Sequence, residues 1–272
     1  MGFLDRGIEI KSREQVDCMS RAGLVVGETL ELLRETVAAG MTTRDLDAVA
    51  EKHIRAAGAT PSFLGYHGFP ASLCVSVNDE VVHGIPGARV VEEGDVVSID
   101  CGAIVDGWHG DAAITVAVGQ VPEDALELMR VTEEAMWRGI AAARLGGRVS
   151  DISHAVEQHV RGHDGLGVVE EYVGHGIGSA MHQPPNVPNF GRPGKGPRLV
   201  EGLALAVEPM VVLGDPANHV LDDDWTVKTD DGSLAAHFEH TFTLTERGAW
   251  VLTAPDGGRA ALAELGAPYG GC

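Results

Sequence analysis

Residues 96–118 read VVSIDCGAIVDGWHGDAAITVAV, two β-rich runs either side of the dipeptide Asp106-Gly107. Asp-Gly supplies the positive-φ positions of a tight two-residue turn, so the spacing predicts a β-hairpin in which Val105 faces Trp108. Counting outward from that pair sets Asp100 opposite Ala113 and Asp111 opposite Gly102. The two carboxylates then lie diagonally on one face, roughly 7–8 Å apart at the backbone. Their side chains can reach a shared pair of cations about 3.5–4 Å apart. Ser98, Gly102, Ala113, Thr115 and Ala117 fall on that face, and Val97, Ile99, Ile114, Val116 and Val118 on the other. Small residues leave room for a site, whereas branched apolar ones call for a helical layer behind the sheet. Alone, either aspartate reads as a strand end or a turn cap; their common face is what favours ligation.

Three further residues stand in apolar or glycine-rich surroundings: His175 in VGHGIG, Glu208 in AVEPM and Glu239 in HFEHT. A carboxylate beside a run such as VVSI or LALAV is unfavourable to desolvate alone. Asp100, Asp111, His175, Glu208 and Glu239 therefore read as ligands of divalent cations, four carboxylates and one imidazole in the composition of a two-metal hydrolytic site. Alternation along AHFEHTFTL puts Glu239 on one face with His237, Thr241 and Thr243. Gly174, Gly176 and Gly178 around His175 are expected to let the backbone approach a ligand or the metals. A phosphate loop is excluded there, because the G-x-G-x-x-G spacing and the P-loop lysine are both missing.

Working outward, the order helix, helix, strands occurs twice. Ser12-x-x-Gln15 is a capping box for a helix running toward Gly40, and a second helix runs from about Thr43 to Gly58. Pro122 suits a first helical position, Gly146 and Gly147 an end, and another helix is expected from about Ser150 to His163. GMTTRDLDAVAEKHIR from Gly40 aligns with GGRVSDISHAVEQHVR from Gly146 at constant offset. RVVEEGDVVSID from Arg89 aligns with RLVEGLALAVE from Arg198 with one gap, which makes Asp100 and Glu208 equivalent strand ends and pairs Glu208 with Glu239 as the second-half counterpart of Asp100 and Asp111. Two halves packed about a pseudo-twofold axis would bring equivalent positions together near that axis.

Composition narrows the class. With 20 basic against 40 acidic residues the net charge is −20, which opposes phosphate backbones and anionic lipid. Nucleic acid and membrane are therefore excluded as partners. The 272 residues, 44% hydrophobic, fit a single large domain. Cys18, Cys74, Cys101 and Cys272 show no C-x-x-C spacing and no disulfide-scaffold density, which fits reduced thiols in the cytoplasm. No apolar run approaches ~18 residues and the amino terminus has no signal-peptide core.

Taken together, NDEVVHGIPG, SIDCG, GHGIG, MHQPPNVPN, VEPM and FEHT resemble the type I methionine aminopeptidases, from about Ser12 to Glu246. The resemblance implies the α/β (α+β) fold called pita-bread: a duplicated, pseudo-twofold antiparallel sheet with helices on its outer face. It also implies one catalytic domain over residues 12–253, with pseudo-repeats at about 12–118 and 122–246, an amino-terminal extension 1–11, and a carboxy-terminal tail 254–272. Composition gives that tail no chemistry and suggests partial disorder. His175 to Glu208 spans 33 residues and Glu208 to Glu239 spans 31, which leaves no room for the helical insert of type II relatives.

The resemblance further implies two divalent cations per subunit, Mn, Fe, Co or Zn. Asp100 and Asp111 would hold one, His175 the other, and Glu208 and Glu239 would complete and bridge the shells. A water between them would attack the carbonyl of the first residue, with Glu208 shuttling its proton. His83 and His182 match the family's two non-ligand catalytic histidines; His182 would stabilise the tetrahedral oxygen, and His83 would contact the scissile nitrogen or the leaving amine. Tyr66, Phe69, Cys74, Met181 and Trp225 are implied as the methionine pocket. Phe63 and Met181 depart from the commoner residues there and bear on pocket shape. His67 is ambiguous, and His53, His154, His159, His163 and His219 read as structural. The implied substrates are nascent polypeptides with initiator Met and a small second residue, met at the ribosome by a monomer. Rival readings are a proline-specific or creatine-degrading relative of the same fold, which would carry a large extra amino-terminal domain, and a non-catalytic binding protein, which would have lost ligands.

Overall fold

In the computed structural model, residues 7–271 are described. In the first half, α1 (Arg13–Thr36) starts at Ser12, which accepts from the Gln15 amide while Gln15 Oε1 takes the Ser12 N–H at 2.8 Å. It buries Val16, Met19, Val26, Leu30 and Leu33. α2 (Thr43–Ala56) repeats the device with Thr42 and Asp45. Strands β1 (Thr60–Pro61), β2 (Leu73–Val77), β3 (Glu80–Val82), β4 (Val96–Val105) and β5 (Trp108–Ala117) follow. The second half opens with α3 (Glu123–Ala142) and α4 (Val149–Val160), then β6 (Gly167–Val168), β7 (Gly174–Gly176), β8 (Gln183–Val187), β9 (Ala204–Val207) and β10 (Met210–Val212). β11 (Asn218–Val220), β12 (Val227–Thr229), β13 (Ala235–His237), β14 (Glu239–Thr245), β15 (Gly248–Val251) and α5 (Arg259–Glu264) complete it.

The main sheet runs β1-β4-β5-β14-β9-β7-β8, with β2 also on β4 and β15 also on β14. The predicted hairpin register is present: Val105 faces Trp108, Asp100 faces Ala113 and Gly102 faces Asp111. Asp106 and Gly107 take φ of 50° and 81°, as the turn demands. Val97, Ile99, Ile114 and Val116 pack with α1 and α3 in the main core, while Ser98 and Thr115 join hydroxyls at 2.8 Å on the opposite face.

The duplication is written in backbone hydrogen bonds. Gly40 N–H donates to Val91 O, Thr43 to Arg89 O and Arg44 to Gly87 O; Gly146 donates to Leu199 O, Val149 to Pro197 O and Ser150 to Lys195 O. This network aligns Val91 with Leu199 and runs without interruption to Asp100 and Glu208, so the one-residue gap in the sequence alignment is unnecessary. At the centre, Glu239 of β14 faces Ala113 of β5. In consequence, the position matching Asp111 in the second half is His237, and Glu239 matches Ala113, which corrects the expected pairing. Asp100 also lies in mid-strand, whereas Glu208 follows the end of β9.

Smaller corrections concern helix ends. Pro122 is the N-cap of α3 and not its first residue, and α4 stops at Val160, three residues before His163. The expected loose tail folds onto the body: Leu262 of α5 is fully buried, Ala267 joins the main core, and Tyr269 bridges Ala249. Deleting residues from 256 onward is expected to lower stability by about 2–5 kcal/mol, the scale of emptying one large core site. A urea titration showing an unchanged midpoint would contradict this. Among the described residues no helix is long and apolar enough to cross a membrane.

Candidate active site

Five strand segments aim polar side chains into one cavity of about 320 Å³. Asp100 and Asp111 come from β4 and β5, Glu239 from the start of β14, Glu208 from just past β9, and His175 from the middle of β7. Where the β5 ladder with the second half is short, threonine hydroxyls hold the strands together. Thr241 Oγ1 donates to Asp111 O at 2.7 Å and Thr115 Oγ1 to His237 O at 2.7 Å. Asn189 Nδ2 pins the Glu208 carbonyl at 3.0 Å.

His175 Nδ1–H donates to Gly176 O at 3.0 Å, which leaves Nε2 as an electron-pair donor facing the acids. That nitrogen stands 3.4 Å from Glu208 Oε1, 3.9 Å from Glu239 Oε1 and 4.0 Å from Asp111 Oδ2. Asp111, His175 and Glu239 form one group able to hold an ion; Glu208, His237 and Glu239 form another. Asp100 shares a hydrogen bond with Asp111 and belongs to neither group. The glycines around His175 serve a different purpose from the one expected. A Cβ on Gly174 would sit 2.4 Å from Ala206 O and one on Gly176 2.3 Å from Pro184 O, so they let β7 fit tightly between its neighbours.

Burial pushes the Asp111, Glu208 and Glu239 carboxyls well above the usual range, and their mutual repulsion adds to it. Burial takes Asp100 to about 7 and depresses His175 to about 3 and His83 to about 4. Asp100 Oδ1, Asp111 Oδ1, Glu239 Oε1 and His237 Nε2 are buried without any hydrogen-bond partner. Within salt-bridge range of Asp111, Glu208 and Glu239, among the described residues, there are only histidines. Hard oxygen donors with imidazole, unpaired and converging, fit divalent cations.

Beside the acids, Phe63, Phe69, Cys74 and Met181 form a separate apolar cluster with Tyr66 and Trp225 against it. All five residues of the expected methionine pocket line the cavity, and Phe69 meets Trp225 edge-on at 5.0 Å. His182 stands at the mouth, its ring 4.2 Å from that of His175 and its Nδ1 2.8 Å from the Tyr66 hydroxyl. His83, at φ 62°, faces Tyr172 and Trp225. His67 is exposed and does not line the cavity, nor do His53, His154, His159, His163 or His219. Sequence reasoning put His237 on the polar face without assigning it a role. Its fully buried, partnerless nitrogen makes it part of the site. Glu171 and Tyr172, also on the wall, carried no signal in the sequence.

The loop bearing Met181 and His182 is held from the amino-terminal side. Glu9 accepts from Ser179 N–H (3.1 Å), Ser179 Oγ (2.7 Å) and Gln183 Nε2 (3.0 Å). Lys11, whose side chain is 1% exposed, donates to Gln183 Oε1 at 3.2 Å and pairs with Glu9; its burial lowers its pKa to about 8. Gly178 fits against both, since a Cβ there would lie 2.2 Å from Glu9 Oε2. Glu9→Ala is expected to lower kcat/KM about ten- to a hundredfold, the effect of a catalytic group displaced by roughly 1 Å. Steady-state kinetics within twofold of the parent would refute that.

Fold and site together define a metal-dependent hydrolase. The profile of metallopeptidase family M24 matches residues 17–246. A methionine aminopeptidase from Clostridium acetobutylicum is 51% identical over 247 residues, which cover 90% of this chain and 98% of that one. The crystal structure of methionine aminopeptidase from Thermotoga maritima matches with a TM-score of 0.89 at 42% identity, covering 91% and 99%. Prolidase from Pyrococcus furiosus, at 22% identity and a TM-score of 0.72 over 66% of its length, shares the fold alone. The chain belongs to metallopeptidase family M24 and, within it, to the methionine aminopeptidases.

Proposed function

We propose that this enzyme removes the initiator methionine from polypeptides whose second residue is small, using two divalent cations held by Asp100, Asp111, His175, Glu208 and Glu239. The observation that carries the reading is the convergence of buried, partnerless carboxylate oxygens and imidazole nitrogen beside an apolar slot. Bound there, the cations would act as Lewis acids and make a water acidic enough to attack at neutral pH. The chain's own groups do the rest. The slot of Tyr66, Phe69, Cys74, Met181 and Trp225 takes the thioether, a flexible and polarizable group suited to aromatic edges. Glu208, at 14% side-chain exposure more open than Asp111 and Glu239, accepts the proton of the attacking water. His182, whose Nδ1 lies 2.8 Å from the Tyr66 hydroxyl, donates from Nε2 to the oxygen that gains charge, in the tautomer whose Nδ1 accepts the Tyr66 proton. His83, neutral through burial, faces the scissile nitrogen. Its packing against Tyr172 narrows the space for the second side chain.

Cys18, Cys74 and Cys101 are unpaired, in keeping with a reducing compartment; the proposal places the enzyme in the cytoplasm, acting as a monomer on nascent chains at the ribosome. The test is mass-spectrometric release of free Met from Met-Gly-led and Met-Lys-led peptides by chelator-stripped protein, with Mn, Fe, Co or Zn added back singly. Metal-dependent release from the first peptide and not the second is the expected result. Folded protein that stays inactive with every metal would reject the reading.

A further inference from the structure

We propose that His237 is a metal ligand, so that the cation pair carries an imidazole on each side. The inference rests on the two-cation reading above and adds a ligand to its set of five. Glu208 and Glu239 each present their two carboxylate oxygens in opposite directions, toward different histidines. Oε1 of Glu208 and Oε1 of Glu239 lie 3.4 and 3.9 Å from His175 Nε2. Oε2 of Glu208 and Oε2 of Glu239 lie 3.8 and 4.0 Å from His237 Nε2. Two donors each about 2.1 Å from one ion are separated by roughly 3–4 Å, so both nitrogens stand at a spacing that ions between them and the carboxylates account for. The contacts are too long for direct hydrogen bonds. His237 Nε2 is nevertheless fully enclosed and has no partner, an arrangement that leaves a buried ring nitrogen unsatisfied unless something binds there.

The backbone supports the assignment independently. The Thr115 hydroxyl accepts from His237 N–H at 2.9 Å and donates to His237 O at 2.7 Å, which fixes the residue on the β5 side of the cavity. The pseudo-twofold relation places His237 where the first half has Asp111, itself an expected ligand. In each half, then, a donor residue occupies the same point of the hairpin. A second imidazole in place of oxygen alone shifts the site toward the nitrogen-preferring ions Co, Ni and Zn and away from Mn.

The test uses full-length protein labelled with 15N in its histidine rings and loaded with 113Cd(II). Of its 12 histidines, two are expected to show 113Cd–15N coupling, and His237→Gln should leave one. The same substitution should weaken the second equivalent of Co(II) in calorimetry about tenfold or more, at least the loss produced by removing an outer-shell partner. A single coupled imidazole in the parent, or an unchanged pattern in the variant, overturns the inference while leaving His175 and the two-cation reading intact. No coupled imidazole at all would sink both. Should His237→Gln fail to fold, the count in the parent decides by itself.

Discussion

Glu239→Gln is expected to remove activity and to make the chelator-stripped protein more stable. Glu239 is 2% exposed, faces Glu208 and Asp111, and has one oxygen without a partner. A neutral amide of the same shape relieves the repulsion and the desolvation, a gain of about 1–3 kcal/mol on the scale of a buried unsatisfied polar group. The same change alters the residue common to both groups able to hold an ion, and kcat/KM should fall by at least about 10³, as when a preorganised charge-stabilising group is lost. The pH dependence carries a sign that can be checked. Carboxyls whose folded pKa is raised contribute stability that is present below their unfolded pKa of about 4 and lost as pH rises through the folded value, about 7 for Asp100. Histidines with depressed folded pKa, such as His175 and His237 at about 3, lose their contribution only as pH falls below about 6.5. Between pH 6.5 and 8 the melting temperature of stripped protein should therefore decline with rising pH. Saturating metal should abolish the slope and Glu239→Gln should flatten it. A stripped Glu239→Gln variant that melts below the parent at pH 7.5 would falsify the account of charge crowding.

Gly23→Ala, in the middle of α1, is expected to unfold the protein or to destabilise it by about 3 kcal/mol or more. In an exposed helix the same change stabilises by about 1 kcal/mol through helix propensity. Here a Cβ would lie 2.3 Å from Leu252 O and 2.7 Å from its carbonyl carbon, both backbone atoms that no rotamer change can move. The helix meets the sheet on a second side as well, since a Cβ on Gly110 would be 2.7 Å from Gly23 N. α1 thus lies directly on the strand that carries Asp111, and strain at Gly23 reaches the site through β5. Leu24→Ala, one residue on and 38% exposed, serves as the control and should change stability by less than about 0.5 kcal/mol. Equal melting temperatures for the two variants would show that the close approach is not required.

The hairpin Val96–Ala117, the capping box at Ser12 and Gln15 and the duplicated helix segments were legible because each rests on contacts within a few residues or on an internal repeat. Asp106-Gly107 fixes register by turn geometry, and register in turn fixes which side chains share a face. For the same reason Asp100 and Asp111 could be set on one surface before any tertiary contact was known. The methionine slot was named by resemblance, from segments some 160 residues apart whose meeting no local rule supplies. The role of His237 was hidden because its alternation could be read but its neighbours could not: Glu208 arrives from a different strand, 29 positions earlier. The carboxy-terminal residues were misjudged because Gly, Ala and Pro carry little local signal, while the burial of Leu262 and Ala267 against the main core depends on where α3 lies.

By itself the sequence determined the helix, helix, strand order of each half, the twofold repeat, the register of the central hairpin and a set of acids in apolar segments that read as cation ligands. Turn chemistry, helix caps and side-chain periodicity act over a few residues and are written in them directly. Only the tertiary structure decided that Glu208 and Glu239 each stand between two histidines, that Glu9 and Lys11 hold the His182 loop, and that glycines at 23 and 110 bring α1 onto β5. Those features depend on distances between segments far apart in the chain, which are set when the whole apolar surface packs at once.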